Sequence, residues 1–97
     1  GWSYSQVLPY FKKSENYETG GDDSRGRGGP LNVAEMCDTH ELCDAFIDAA
    51  EATGYPKNKD YNNGNQEGFG YYQVTMKNGR RQSTARAFLD PARSRPN

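Results

Sequence analysis

Phe69-Gly70-Tyr71-Tyr72-Gln73-Val74-Thr75-Met76 runs into Lys77-Asn78-Gly79-Arg80-Arg81-Gln82. The first eight residues alternate as a strand does. Tyr72, Val74 and Met76 fall on one side, and Phe69, Tyr71, Gln73 and Thr75 on the other. Asn78-Gly79 is the preferred two-residue hairpin turn, because both residues tolerate positive φ. Arg80 to Gln82 then return as a second strand. Ser83 is placed to cap a short helix over about 84–89, with Pro91 ending it. Apolar or aromatic side chains on both faces of 69–76 predict an inner strand of a larger sheet. A two-stranded ribbon is marginal by itself, so this strand predicts missing partners or self-association through its edge.

Working outward, residues 2–14 open with helix chemistry. Ser3 and Gln6 have capping-box spacing, and Trp2 can staple onto Val7. Pro9 removes a backbone donor and predicts a kink or restart. Val7, Leu8, Tyr10 and Phe11 supply an apolar face. The glycine-rich stretch 15–29 has no periodicity and reads as a flexible loop, followed by an extended Leu31-Asn32-Val33. A second helix is predicted over 39–53, started by Asp38 with Glu41 and stopped by Gly54 and Pro56. Leu42, Phe46, Ala49 and Ala50 mark its inner face, and Asp44, Asp48 and Glu51 its wet face. Residues 57–67 are polar and turn-rich. The fold class is α+β: helices plus a small antiparallel hairpin, within a single partial domain over 1–97.

Composition limits what this chain does alone. Only 33% of its 97 residues are apolar, below the ~45–50% of ordinary globular domains, so a large core is excluded. A formal charge of −1 carries no general argument for nucleic acid or membrane. No apolar run is long enough to span a bilayer. Arg80, Arg81, Arg86, Arg93 and Arg95, near Tyr71 and Tyr72, could suit a single strand of nucleic acid. The acidic remainder argues against that and favours contacts to a neighbouring subdomain. Cys37, His40 and Cys43 are too few for a structural metal site, which needs four ligands. Both cysteines read as reduced thiols of a cytoplasmic protein. The run Gly20–Gly29 leads to Pro30 rather than to a helix, so it is no phosphate cradle. Glu67 lies at the wrong offset to close a calcium loop. His40 has no partner set for catalysis.

Two blocks carry a resemblance. One is Trp2-x-Tyr4-x-x-Val7-Leu8-Pro9-Tyr10-Phe11. The other is Asn78-Gly79-Arg80-Arg81-x-Ser83-Thr84-Ala85-x-Ala87. With Gly68-Phe69-Gly70 between them, the chain resembles the glucose–methanol–choline (GMC) family of flavin-dependent alcohol oxidoreductases, in its choline dehydrogenase branch. Enzymes of that family are several hundred residues long, so the resemblance implies an internal fragment. It implies a parent that holds FAD and oxidises an alcohol, choline among the candidates, by hydride transfer to the flavin. It places this chain in the substrate-binding region, as scaffold and wall. The family's glycine-rich flavin turn and its proton-abstracting histidine match no position here. No catalytic, cofactor-binding or metal residue is therefore expected in this chain, and no flavin in the chain alone. Trp2, Pro9, Gly68, Gly70, Asn78, Gly79, Arg81 and Ser83 are expected to be structural. The partner is then the rest of the parent or a second copy. The alternative is a stand-alone binding or self-associating module.

Overall fold

The computed structural model of the protein describes residues 1–96. Helix α1 spans Tyr4–Ser14, strand β1 Glu15–Tyr17, β2 Leu31–Val33, helix α2 Glu41–Ala52, β3 Met76–Lys77 and β4 Arg80–Arg81. A π-helical turn over Ala85–Leu89 leads directly into the short helix α3, Asp90–Ala92. Strands β1 and β2 pair in parallel, and β3 and β4 antiparallel, as two separate ribbons. Helices and small sheets together agree with the α+β expectation.

Helix α1 begins at Ser3, where the Gln6 side-chain oxygen accepts the Ser3 N–H at 3.3 Å and the Ser3 hydroxyl at 2.9 Å. This is the Gln6 arm of the capping box. The staple does not form, because Trp2 is 93% exposed. The helix continues through Pro9 instead of restarting. The carbonyl that Pro9 leaves unpaired, at Ser5, lies on an exposed stretch where water can satisfy it.

The loop expected over 15–29 is only partly a loop. Glu15, Asn16 and Tyr17 pair with Leu31, Asn32 and Val33. Three residues are too few to show a period, and the partner lies beyond a long connection, as parallel pairing requires. Asparagines fix the register: Asn16 donates to Asn32 Oδ1 at 2.7 Å, and Asn32 donates to the Met76 carbonyl at 2.6 Å. The glycines serve close approach. A Cβ on Gly26 would lie 2.3 Å from the Lys12 carbonyl oxygen, and one on Gly29 2.5 Å from the Glu15 carbonyl oxygen.

Strand 69–76 is corrected more sharply. Phe69 makes one bridge to Lys57 and Val74 another to Ala34, and continuous strand begins only at Met76. The side-chain alternation is real, but the described residues offer no single long partner for it. The premise of a long exposed sheet edge falls with it. The hairpin is as expected, with Asn78 at φ 51° and Gly79 at φ 71°. Pro91 does not end the last helix. It lies within α3.

Helix α2 starts at Glu41, not at 39. His40 is the cap, its Nδ1 accepting the Leu42 N–H at 3.1 Å. This replaces the role read into Asp38. At the other end Gly54 adopts φ +98°, and the Tyr55 N–H reaches the Ala50 carbonyl at 3.1 Å. That is the Schellman closure that Gly54 foretold. The inner face read into α2 is not covered: Leu42 is 70% exposed and Phe46 63%.

What holds the chain together is polar. Arg25 is buried, with Nη2 on Glu15 at 2.7 Å and Nη1 on Asp60 at 3.0 Å. Its guanidinium lies 4.0 Å from the centre of the Tyr17 ring. One residue thus joins β1, the glycine-rich connection and the 58–63 turns. Apolar burial is slight, limited to Tyr17, Ala34 and Ala87 among the described residues. The accessible surface is 7513 Å² for a mass of 10.9 kDa, where a compact monomer of that mass has about 5,600 Å². Removing one partner of a buried ion pair strands the other charge, at about 3–5 kcal/mol. Arg25→Ala, which strands both Glu15 and Asp60, is therefore expected to lower the urea midpoint by that equivalent, whereas exposed Asp23→Ala leaves it in place. Equal midpoints for the two variants would contradict the Arg25 account.

Candidate functional site

The Asx-rich segment after α2 folds back on itself. Asn58 donates its amide to the carbonyls of Asn65 and Glu67 at 2.7 and 3.1 Å. Its backbone N–H binds the Phe69 carbonyl at 2.9 Å, and the Phe69 N–H binds the Pro56 carbonyl at 2.9 Å. This brings two backbones side by side, and only glycine fits on either side of Phe69. A Cβ on Gly70 would stand 1.9 Å from the Asn58 carbonyl oxygen, and one on Gly68 2.4 Å from that of Pro56. Phe69 is thereby pinned against α2. Its ring meets Phe46 edge-on at 5.7 Å and Tyr55 at 5.4 Å. Such aromatic pairs add about 0.5–1.5 kcal/mol each beyond the area they bury.

A cleft of about 370 Å³ opens between α2 and this segment, lined in part by Asp44, Ile47, Asp48, Lys57, Phe69 and Tyr71. Its polar groups answer one another. Lys57 lies 2.8 Å from Asp48 and 3.0 Å from Glu51, and these two carboxylates push its pKa up to about 12. The Tyr71 hydroxyl donates to Asp44 at 2.8 Å, and its pKa is raised by desolvation and by that bond. Glu35, which also lines the cleft, accepts a hydrogen bond from the buried Tyr17 hydroxyl. Burial and that bond raise the Tyr17 pKa as well. The cleft is a place to hold a group; it joins no nucleophile to a base. Cys37 and Cys43 are both free and exposed, and no group of three or more His, Cys, Asp or Glu could hold a metal among the described residues.

The residues singled out in the sequence are not gathered at one site. Gly70 lines the cleft, and Gly68 precedes the lining residue Phe69. Asn78, Gly79 and Arg81 belong to the hairpin, and Ser83 Oγ accepts the Arg86 N–H at 3.4 Å just beyond it. Trp2 and Pro9 lie at α1. Sequence reasoning missed Arg25, Tyr17 and Asp60. Arg25 sits in a glycine run that reads as flexible, and only the Asx turn at Asp60 hinted that the 58–63 segment was fixed.

The sequence signature of the GMC oxidoreductases, in its N-terminal part, matches residues 1–97. The chain belongs to the GMC oxidoreductase family. It is 46% identical over 97 residues to the mitochondrial choline dehydrogenase of Mus musculus, covering 100% of this chain and 16% of that one. It is 46% identical to the oxygen-dependent choline dehydrogenase of Brucella ovis, covering 18% of that protein. Pyridoxine 4-oxidase from Mesorbium loti shares the structure over 98% of this chain and 19% of its own, with a TM-score of 0.86 and 33% identity. The chain thus spans less than a fifth of the length of these relatives.

GMC oxidoreductases are flavoproteins, and the matched part is the family's FAD-binding region. Placement in the substrate-binding domain finds no support in that match. Neither long helix, α1 or α2, opens as a pyrophosphate cradle. A dinucleotide's pyrophosphate sits where a strand and glycine turn open a helix. Helix α2 instead opens from His40 with Glu41 and Asp44 in its first turn, carboxylates that repel a diphosphate. At α1 the opening is taken by the chain's own Gln6.

The raised tyrosines set an alkaline limit. A pKa raised on folding contributes stability that is complete below the unfolded value and lost as pH climbs through the native one. Two of the seven tyrosines should therefore ionise above the ordinary value of 10.0. Tyrosinate absorbance read against pH should show this delayed fraction, and Tyr17→Phe and Tyr71→Phe should each remove part of it. A single transition for all seven in the folded chain would contradict the hydrogen bonds to Glu35 and Asp44.

Proposed function

We propose that this chain is a section of an FAD-dependent dehydrogenase or oxidase acting on an alcohol of the choline type. In it the chain serves as scaffold within the flavin-binding part and as one wall of the enclosed reaction space. The observation that carries the reading is identity of 46% to choline dehydrogenases along the whole chain. The surface supports it. The chain leaves roughly 1,900 Å² more exposed than a compact monomer of its mass, taking the 7513 Å² observed against the ordinary scaling. That surplus exceeds the ~800 Å² per partner of a standard interface. Exposed Trp2, Tyr4, Tyr10 and Phe11 along α1 are the side chains the rest of such an enzyme would cover. The hydride chemistry belongs to the flavin and to residues outside this chain. The choice of alcohol, the electron acceptor and a cytoplasmic setting are proposals of the same kind, the last resting only on the two free thiols.

A chimera tests the reading. The matching segment of the mouse enzyme is replaced by residues 1–97, and the purified product is scanned for flavin absorbance and assayed with choline. The expected result is a yellow protein that oxidises choline, with the chain alone colourless. A soluble chimera without flavin, or stoichiometric flavin on the isolated chain, would overturn it.

A further inference from the structure

The two ribbons of this chain meet, and their outer edges end differently. Ala34 and Val74 exchange two backbone bonds of 2.9 Å, and the Asn32 amide reaches the Met76 carbonyl at 2.6 Å. The strands therefore lie in the order β1, β2, 74–77, β4. The outer edge of β1 is closed by the chain itself. The Tyr17 N–H reaches the Gly26 carbonyl, and the Gly29 N–H the Glu15 carbonyl, both at 2.9 Å. The edge at β4 has no such closure. Met76 lies opposite Arg81, and the Gln82 N–H bonds the Thr75 carbonyl at 2.9 Å. In antiparallel pairing, successive residues turn their backbone groups inward and outward in alternation. The Arg81 N–H and C=O therefore point away from β3, and they meet no backbone partner among the described residues.

Charge at this edge is uncompensated too. Lys77 and Arg80 lie directly opposite each other, a like-charge pair that destabilises a ribbon. Neither meets a carboxylate among the described residues. The relatives are more than five times as long as the match, so partner strands lie within reach in such a body. We propose, resting on the reading of this chain as a section of a longer flavoenzyme, that an extended segment of the same polypeptide from outside residues 1–97 pairs with β4. It takes the Arg81 N–H and C=O into its own ladder and sets an Asp or Glu beside Arg80. Cations on an edge can instead keep other strands away, but the Lys77–Arg80 repulsion would then stand as a bare cost. A carboxylate on a third strand turns it into an attraction. Backbone bonds give the added strand its affinity, and the opposite charge selects it.

The mouse-enzyme chimera carrying residues 1–97 tests this, its remainder supplying the segment and its flavin absorbance read separately. The Arg81 amide in the chimera should exchange at least ~100-fold more slowly than an unpaired amide. Arg81→Pro removes that donor, and a proline whose missing donor would face solvent on an open edge is tolerated. The variant should therefore melt below Arg81→Ala, which keeps the donor. Arg80→Gln should also lower the melting temperature, because it gives up the carboxylate; relief of a bare like-charge pair would raise it. An unprotected Arg81 amide overturns the proposal. So do equal melting temperatures for Arg81→Pro and Arg81→Ala, or an Arg80→Gln chimera that melts at or above the unsubstituted one. A colourless chimera with a protected Arg81 keeps the added strand and rejects the flavoenzyme reading, and a yellow chimera with an unprotected Arg81 does the reverse.

Discussion

A buried guanidinium organises this chain. Arg25 takes Glu15 from β1 on one side and Asp60 from the Asx turns on the other, with the Tyr17 ring beneath it. Each carboxylate is fixed in turn: Glu15 also accepts the Gly26 N–H at 2.8 Å, and Asp60 the Asn62 N–H at 2.9 Å. Segments far apart in sequence are thereby held at one point without an apolar core. Such a centre supplies geometry more than stability, since desolvating the charges offsets much of their attraction. The Nε of Arg25 is left without a partner, which makes the balance narrower still.

The elements that were legible in the sequence are those set by local chemistry. Asn78-Gly79 demanded positive φ and produced the hairpin; Gly54 closed α2; Ser3 and Gln6 opened α1. What was illegible depends on partners distant in sequence. Strand β1 shows no period because its register comes from Asn16 and Asn32. Residues 69–76 alternate as a strand would, yet they pair with Lys57 and Ala34 in turn. Helix α2 has a good apolar face and still buries none of its residues. Periodicity reports which face wants covering, not whether the cover is present. For the cleft, Gly68 and Gly70 were singled out in advance, but the contact with Asn58 that excludes a side chain at Gly70 was visible only in three dimensions.

These features describe a segment whose order is local and polar while its apolar surface faces outward. Its extents of 58 × 34 × 18 Å and radius of gyration of 16.3 Å compare with about 13 Å for a compact domain of this length. A shape so flat is suited to lie within a larger body. Membership of the GMC family supplies such a body, since the relatives are more than five times as long as the match.

Amide hydrogen exchange on the isolated chain tests this most directly, because it separates a polar centre from a packed core residue by residue. Slow exchange is expected at Tyr17, Ala34, Asn58, Phe69 and Val74, whose N–H groups close the contacts around Arg25 and the cleft. The amides of α1 and α2 should exchange fast, as uncovered helices do. Equal, strong protection of both helices with a single cooperative opening would contradict the account and mark the chain as a self-sufficient domain.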